Sequence, residues 1–188
     1  MNTREKILIS AVELFAARGF DAVGVQEVAT KSGITKPTLY HYFGSKNGLL
    51  KAVMEEYGSR LSGVVGAAVV YQGDLSLTLA ELGKAYFEFA KANRVFYRMQ
   101  LAMYFSPPES QCNQMVRRYN EVQLHRIEEL FKAATVHHHN LYGRHLALAA
   151  TFIGNINTYI GFALNGYIEL QAEFAEQIVH QFMYGIQL

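Results

Sequence analysis

Lys36, Thr38, Tyr40 and His41 crowd a cation, a hydroxyl, a phenol and an imidazole into six residues. If the segment is helical, Leu39 and Phe43 at i and i+4 face inward, and these four, with Tyr42, stay largely outside. Donors, acceptors and flat rings on one outward face suit the base edges and phosphates of duplex DNA. That chemistry requires a helix that can enter the major groove, and the neighbouring residues provide for one. Val25, Val28 and Ala29, at i, i+3 and i+4, predict a short helix with one apolar face. Gly33 stops it where a positive φ is wanted, and Ile34 returns the chain to the core. Thr35 or Lys36 then opens the second helix, with Pro37 in its first turn, where a missing N–H costs nothing. Two short helices about a tight turn, the second exposing this set with Thr35 at its head, read as a helix–turn–helix built for DNA. An αα-hairpin that merely packs fits the same apolar pattern.

Charge supports the first reading. The chain of 188 residues has a net charge of only +1, yet no acidic residue separates Glu27 from Glu55, while Lys31, Lys36, Lys46 and Lys51 all fall there. A locally basic face coinciding with the motif is what a phosphate-binding surface needs. Beyond Arg144 no Lys or Arg occurs.

The run from Gly19 to Val53, with VQEVA, KSGITKPTLYHYF and SKNGLL in register, resembles the DNA-binding domain of the tetracycline-repressor (TetR) family. The detailed resemblance covers residues 3 to about 53; the remainder resembles the family only in length and helical character. It implies that Pro37 touches bases, through thymine methyls, and that Tyr40 and Lys46 grip phosphates. It also implies a small-molecule effector held among the C-terminal helices; one recognition helix covers only a few base pairs, so a homodimer on a roughly palindromic double-stranded operator is expected. Position 24 departs from the pattern, being Gly where Ser or Thr is usual. A phosphate contact there must come from a backbone N–H.

Those elements sit in a chain that reads as all-α, with about nine helices. The first spans Thr3 to Arg18. The fourth begins near Ser45 and runs towards Tyr71, with Gly58, Gly63 and Gly66 favouring a kink or an early end. The fifth covers roughly Ser76 to Ala92, and a shorter sixth, capped by Asn93, runs to Phe105. The seventh spans about Glu109 to Ala134, the eighth Gly143 to Leu170 and the ninth Ala172 to Gly185. We therefore expect a DNA-binding domain over residues 1–46 and a helical sensing and dimerising domain over residues 47–188.

Between Leu146 and Leu170 the only charge is Glu169, so a membrane span must be weighed. Asn155, Asn157, Asn165, Thr151 and Thr158, with no basic anchor on the C-terminal side, argue against one. A helix apolar nearly all round is buried nearly all round. A dimer interface provides that burial, through Phe152, Ile156, Ile160 and Gly161 of this helix and Phe174, Ile178 and Phe182 of the next. The segment from Tyr86 to Tyr119 is rich in aromatics and methionines. Phe96, Met99, Met103 and Tyr104 are its candidates for walls of a site for a mostly apolar effector. Arg94, Arg98, Arg117, Arg118 and Arg126 could neutralise an anionic one.

Enzyme chemistry finds no support. The chain has no phosphate-binding Gly loop, nucleophile elbow or Cys pair. His137, His138, His139 and His145 contain no i, i+4 pair, so neither a metal nor a cofactor is expected. A single cysteine, Cys112, and an N-terminus leading straight into an amphipathic helix suit the cytoplasm. The expected protein is a ligand-responsive repressor; a helical protein-interaction module without DNA binding is the alternative.

Overall fold

The computed structural model describes residues 1–185, and these are all-α. α1 (Thr3–Arg18), α2 (Val25–Lys31), α3 (Lys36–Phe43) and α4 (Lys46–Val53) come first. A π-turn over Met54–Gly58 joins α4 directly to α5 (Ser59–Ala68). Then follow α6 (Leu75–Ala92), α7 (Arg94–Tyr104), α8 (Gln111–Ala134), α9 (His145–Leu164) and α10 (Ala172–Tyr184).

Local chemistry explains the boundaries. Asn2 and Glu5 close a reciprocal cap on α1: the Asn2 side chain accepts from the Glu5 N–H, and Glu5 accepts from the Asn2 N–H. The weak second half expected of the fourth helix appears as the π-turn, after which the helix runs on to Ala68, short of Tyr71. Asn93 serves the preceding helix rather than the following one, both its backbone N–H and Nδ2 donating to the Phe89 carbonyl at 2.9 Å. The expected eighth helix is shorter than its apolar run. It stops at Leu164 because Gly166 takes φ +79°, and the Tyr167 N–H reaches back to the Phe162 carbonyl.

By packing, the chain divides into two units that do not follow a cut at residue 46/47: Met1–Arg60 with Arg94–Tyr119, and Leu61–Asn93 with the chain from Asn120. In the first, α1 packs on α2, α4 and α7. Ile7, Leu8, Ala11 and Phe15 of α1, Leu39 of α3, Leu49, Leu50 and Val53 of α4, and Phe96, Met99 and Met103 of α7 are buried. Each such Leu, Ile or Phe contributes about 1.5–3 kcal/mol against exposure. In the second unit α6 lies against α9 and α10. Gly83 permits that approach: a Cβ there would meet Ala175 at 3.2 Å and Ile156 at 3.4 Å.

Candidate nucleic-acid interface

The site begins at the join of α1 and α2. Glu27 accepts from the Gly24 N–H at 2.9 Å and pairs with Arg18. The Gly24 hydrogen bond, then Arg18, hold its carboxyl below the usual carboxylate range. The Gly24 N–H is thus committed to Glu27, so a backbone contact to a phosphate at this helix end falls to the N–H groups of the first turn that follow it.

At the other end of α2, Gly33 takes φ +68° and the Ile34 N–H returns to the Ala29 carbonyl at 3.0 Å. α3 starts two residues later, at Lys36. Thr35 caps it, its hydroxyl accepting from the Thr38 N–H at 3.3 Å and lying 2.9 Å from the Thr38 hydroxyl. Leu39 is fully buried, whereas Lys36, Pro37, Tyr40, His41 and Tyr42 are exposed, Tyr40 at 41% and Tyr42 at 45%. Thr38 is half-buried, with its hydroxyl and amide both engaged at the cap. Phe43, expected inward, is also only half-buried. α3 ends at Gly44, φ +69°, and Ser45 caps α4 by accepting from the Gly48 N–H at 2.9 Å. A Cβ on Gly48 would run into the Phe43 carbonyl oxygen, so the α3–α4 turn closes this tightly only around glycine.

The basic face is narrower than the sequence suggests. Lys31 pairs with Glu13 at 3.0 Å and Lys51 with Glu55 at 3.7 Å. Both acidic partners lie outside the acid-free stretch, and folding brings them in. The Lys46 ammonium donates to the Asp21 carbonyl at 3.2 Å and sits 4.2 Å from the Phe20 ring centroid. That carbonyl leaves its formal charge uncompensated. Lys36 lies 5.8 Å from the Tyr40 ring, one turn along α3. Lys36 and Lys46 are therefore the two of the four lysines with no carboxylate at ion-pair distance among the described residues, although the Lys46 charge helps to lower the Glu27 carboxyl through space.

The other sequence candidates are scattered differently. Phe96, Met99 and Met103 are buried in the first unit, with Phe96 stacked on Tyr57 at 5.0 Å. Tyr104 is 51% exposed, edge-on to Phe105, and lines no interior. Phe152, Ile156, Ile160 and Ile178 are buried within the chain's own second unit, so they are corrected from interface to core. α6 and α10 cover the apolar face that a partner was expected to cover. Phe174 and Phe182 are half-buried, against Tyr159 and against Phe131 and Phe152. Gly161 has open space beyond its Cβ position. α9 is long and apolar enough to cross a membrane by length and composition, yet much of it is unburied within the chain.

Comparison with known proteins agrees with this geometry. Residues 7–53 match the family of bacterial regulatory proteins described as the tetR family. The HTH-type transcriptional activator FasR of Mycolicibacterium smegmatis is 34% identical over 96 residues, 51% of this chain and 44% of that protein. The HTH-type transcriptional repressor BdcR of Escherichia coli is 49% identical over 53 residues, 28% of this chain and 27% of that protein. The chain thus spans less than half the length of these curated relatives. A solved structure of the transcriptional regulator FadR of Bacillus subtilis, in complex with stearoyl-CoA, aligns over 97% of this chain and 99% of its own. The TM-score is 0.81 at 16% identity, a likeness of fold.

Proposed function

We propose, from the membership of residues 7–53 in the tetR family of bacterial regulatory proteins, that this chain is a DNA-binding transcriptional regulator. The observation that carries the reading is α3 itself. It is anchored by buried Leu39, capped by Thr35, and it turns Lys36, Pro37, Tyr40 and His41 outward. Residues 1–46 form the reading head in this proposal, and residues 47–188 sense and dimerise.

One such helix covers a few base pairs, so useful specificity calls for a homodimer on two half-sites of a roughly palindromic double-stranded operator. The outer face of α9 supports dimerisation. Ala147, Thr151, Gly154 and Thr158 are exposed at alternating spacings of four and three. The Thr151 and Thr158 hydroxyls donate to the Ala147 and Gly154 carbonyls at 2.8 and 2.9 Å, which leaves their methyls to face outward. An apolar face of small residues lets two helices approach closely, and it accounts for an apolar helix without a membrane.

The action proposed is repression by occupancy, relieved by a mostly apolar effector; the fold relative bound to stearoyl-CoA favours one with an acyl chain. Activation is the second reading, favoured by the match to a named activator. Action on DNA places the protein in the cytoplasm. Fluorescence anisotropy with genomic promoter fragments at graded salt tests the core of the reading. Affinity that falls steeply with salt supports it, because bound phosphates release counterions. Absence of binding at low salt favours the interaction-module alternative.

A further inference from the structure

Within the second unit, helix positions that should be apolar carry unbalanced donors. Tyr86 of α6 is buried, and its hydroxyl donates to Gln123 Oε1 of α8 at 2.7 Å. Gln123 is only 5% exposed, yet its Nε2 has no acceptor within hydrogen-bond distance. Arg126, one turn further on the same side of α8, is half-buried and donates to the Ser62 carbonyl of α5. Its guanidinium rests against Gly66, where a Cβ would stand 2.9 Å from Nη1. The next carboxylates along α8, Glu128 and Glu129, are engaged by Lys132. Burial pushes the Tyr86 phenol up and the Arg126 charge pulls it back, so guanidinium and phenol share one electrostatic neighbourhood. On the same three helices Leu61 and Val65 of α5, Leu82 of α6 and Ile127 of α8 are buried and apolar.

A buried amide N–H without an acceptor forfeits its hydration and gains nothing within the chain. A neighbouring cation held by a carbonyl alone still lacks a counter-charge. Both deficits are of one kind: they call for an oxygen acceptor, and an anionic one satisfies both. The apolar residues on the same three helices require the rest of such a molecule to be hydrocarbon.

We propose that Gln123 and Arg126 are the polar anchor of an effector site among α5, α6 and α8, taking the carboxylate or carbonyl oxygen of a ligand whose remaining length is aliphatic. This rests on the reading of the chain as an effector-responsive regulator.

Calorimetry on the full chain tests the anchor, with dodecanoate, dodecanoyl-CoA and 1-dodecanol as probes of equal chain length. Dodecanoate or the thioester binds the wild-type chain at least ~10-fold more tightly than the alcohol, the usual margin of a charge-assisted hydrogen bond. Arg126→Gln abolishes the advantage of dodecanoate. A thioester without a formal charge at the anchor depends chiefly on Gln123, so the two variants separate the two sources of the oxygen. Gln123→Leu combined with Tyr86→Phe removes both buried polar partners together. It keeps a melting temperature at or above wild type and keeps dodecanol affinity, while losing about 10-fold for the oxygen-headed probe. Equal affinity of all three probes for the wild-type chain, or no binding of any, overturns the proposal. If dodecanoate or the thioester releases DNA equally from wild type and variants, the anchor is wrong and the regulator reading stands. If DNA binds but no probe alters its affinity, the effector reading fails and the anchor falls with it.

Discussion

Lys46 has an arrangement suited to a phosphate contact: its ammonium is held over the Phe20 ring by one carbonyl, in place and without a carboxylate at ion-pair distance. Lys46→Ala is expected to weaken all DNA sequences alike and to flatten the salt slope by about one unit, measured by anisotropy across a salt series. Lys36 is different, because it stands at the N-terminal end of α3, the part of a recognition helix that reaches base edges. Lys36→Ala should relax preference at one operator position, by about 1–3 kcal/mol if a guanine is read there. Unchanged operator affinity in both variants would mean that α3 is not the reader. Gly48 decides the turn behind them. Gly48→Ala forces a methyl into the Phe43 carbonyl and is expected to cost about 1–3 kcal/mol, read as a lowered urea midpoint.

At the scale of elements, α9 has two faces with different work. Phe152, Ile156 and Ile160 are spent on α9's own unit, so truncating them unfolds the subunit before it tests any dimer. The outward face offers a cleaner test. Gly154 and Gly161 have no atom near the position of an added Cβ, so Gly154→Trp leaves the monomer intact and should even help the helix. Sedimentation at micromolar concentration is expected to show a wild-type dimer and a Gly154→Trp monomer with unchanged circular dichroism. The same variant should lose operator affinity, since a lone recognition helix has half the site. A dimeric Gly154→Trp chain would place the interface elsewhere. The cap of α3 has its own signature: Thr35→Ala should destabilise by about 1 kcal/mol and blunt DNA binding through fraying of the first turn.

For the whole molecule, thermodynamic linkage is the constraint. An effector that lowers operator affinity by some factor must bind the DNA-free protein more tightly by that same factor. Titrating dodecanoate with and without operator should return the same finite ratio as titrating operator with and without dodecanoate; a loss of operator affinity that keeps growing in proportion to dodecanoate, without a plateau, would mean that the probe excludes DNA by direct competition. Stability against alkali follows from burial. The folded chain keeps the Tyr86 proton well beyond the ordinary tyrosine range, whereas the unfolded chain releases it near pH 10. Above that pH the unfolded state binds fewer protons, so stability falls as pH rises. Urea midpoints should decline above about pH 10, and less steeply in Tyr86→Phe. Tyr57 and Tyr119, also raised by burial, account for part of the remaining slope.

Local rules made the helix–turn–helix of α2 and α3 legible from residues alone. Gly33, Pro37 and the i, i+4 pair Leu39 and Phe43 act within one or two turns, and short-range sterics and hydrogen bonds set them without help from the rest of the chain. The helix count and most boundaries were legible for the same reason. Three-dimensional packing decided what no spacing could carry. Glu13 comes from eighteen positions upstream to neutralise Lys31, thinning a basic face that looked continuous in the sequence. The apolar run of α9 announced burial but not by what, because hydrophobicity has no direction. α6 and α10 take the face with Phe152, Ile156 and Ile160, and the small-residue face remains outside. Phe96, Met99 and Met103 read as pocket walls, yet they lie with α1 in the unit that contains the helix–turn–helix. Arg126 is one of five arginines that could meet an anionic effector, and nothing in the spacing of a polar helix singles out it or Gln123. Their meaning depends on Tyr86, Ser62 and Gly66, which only the packing of α5 and α6 against α8 brings to them.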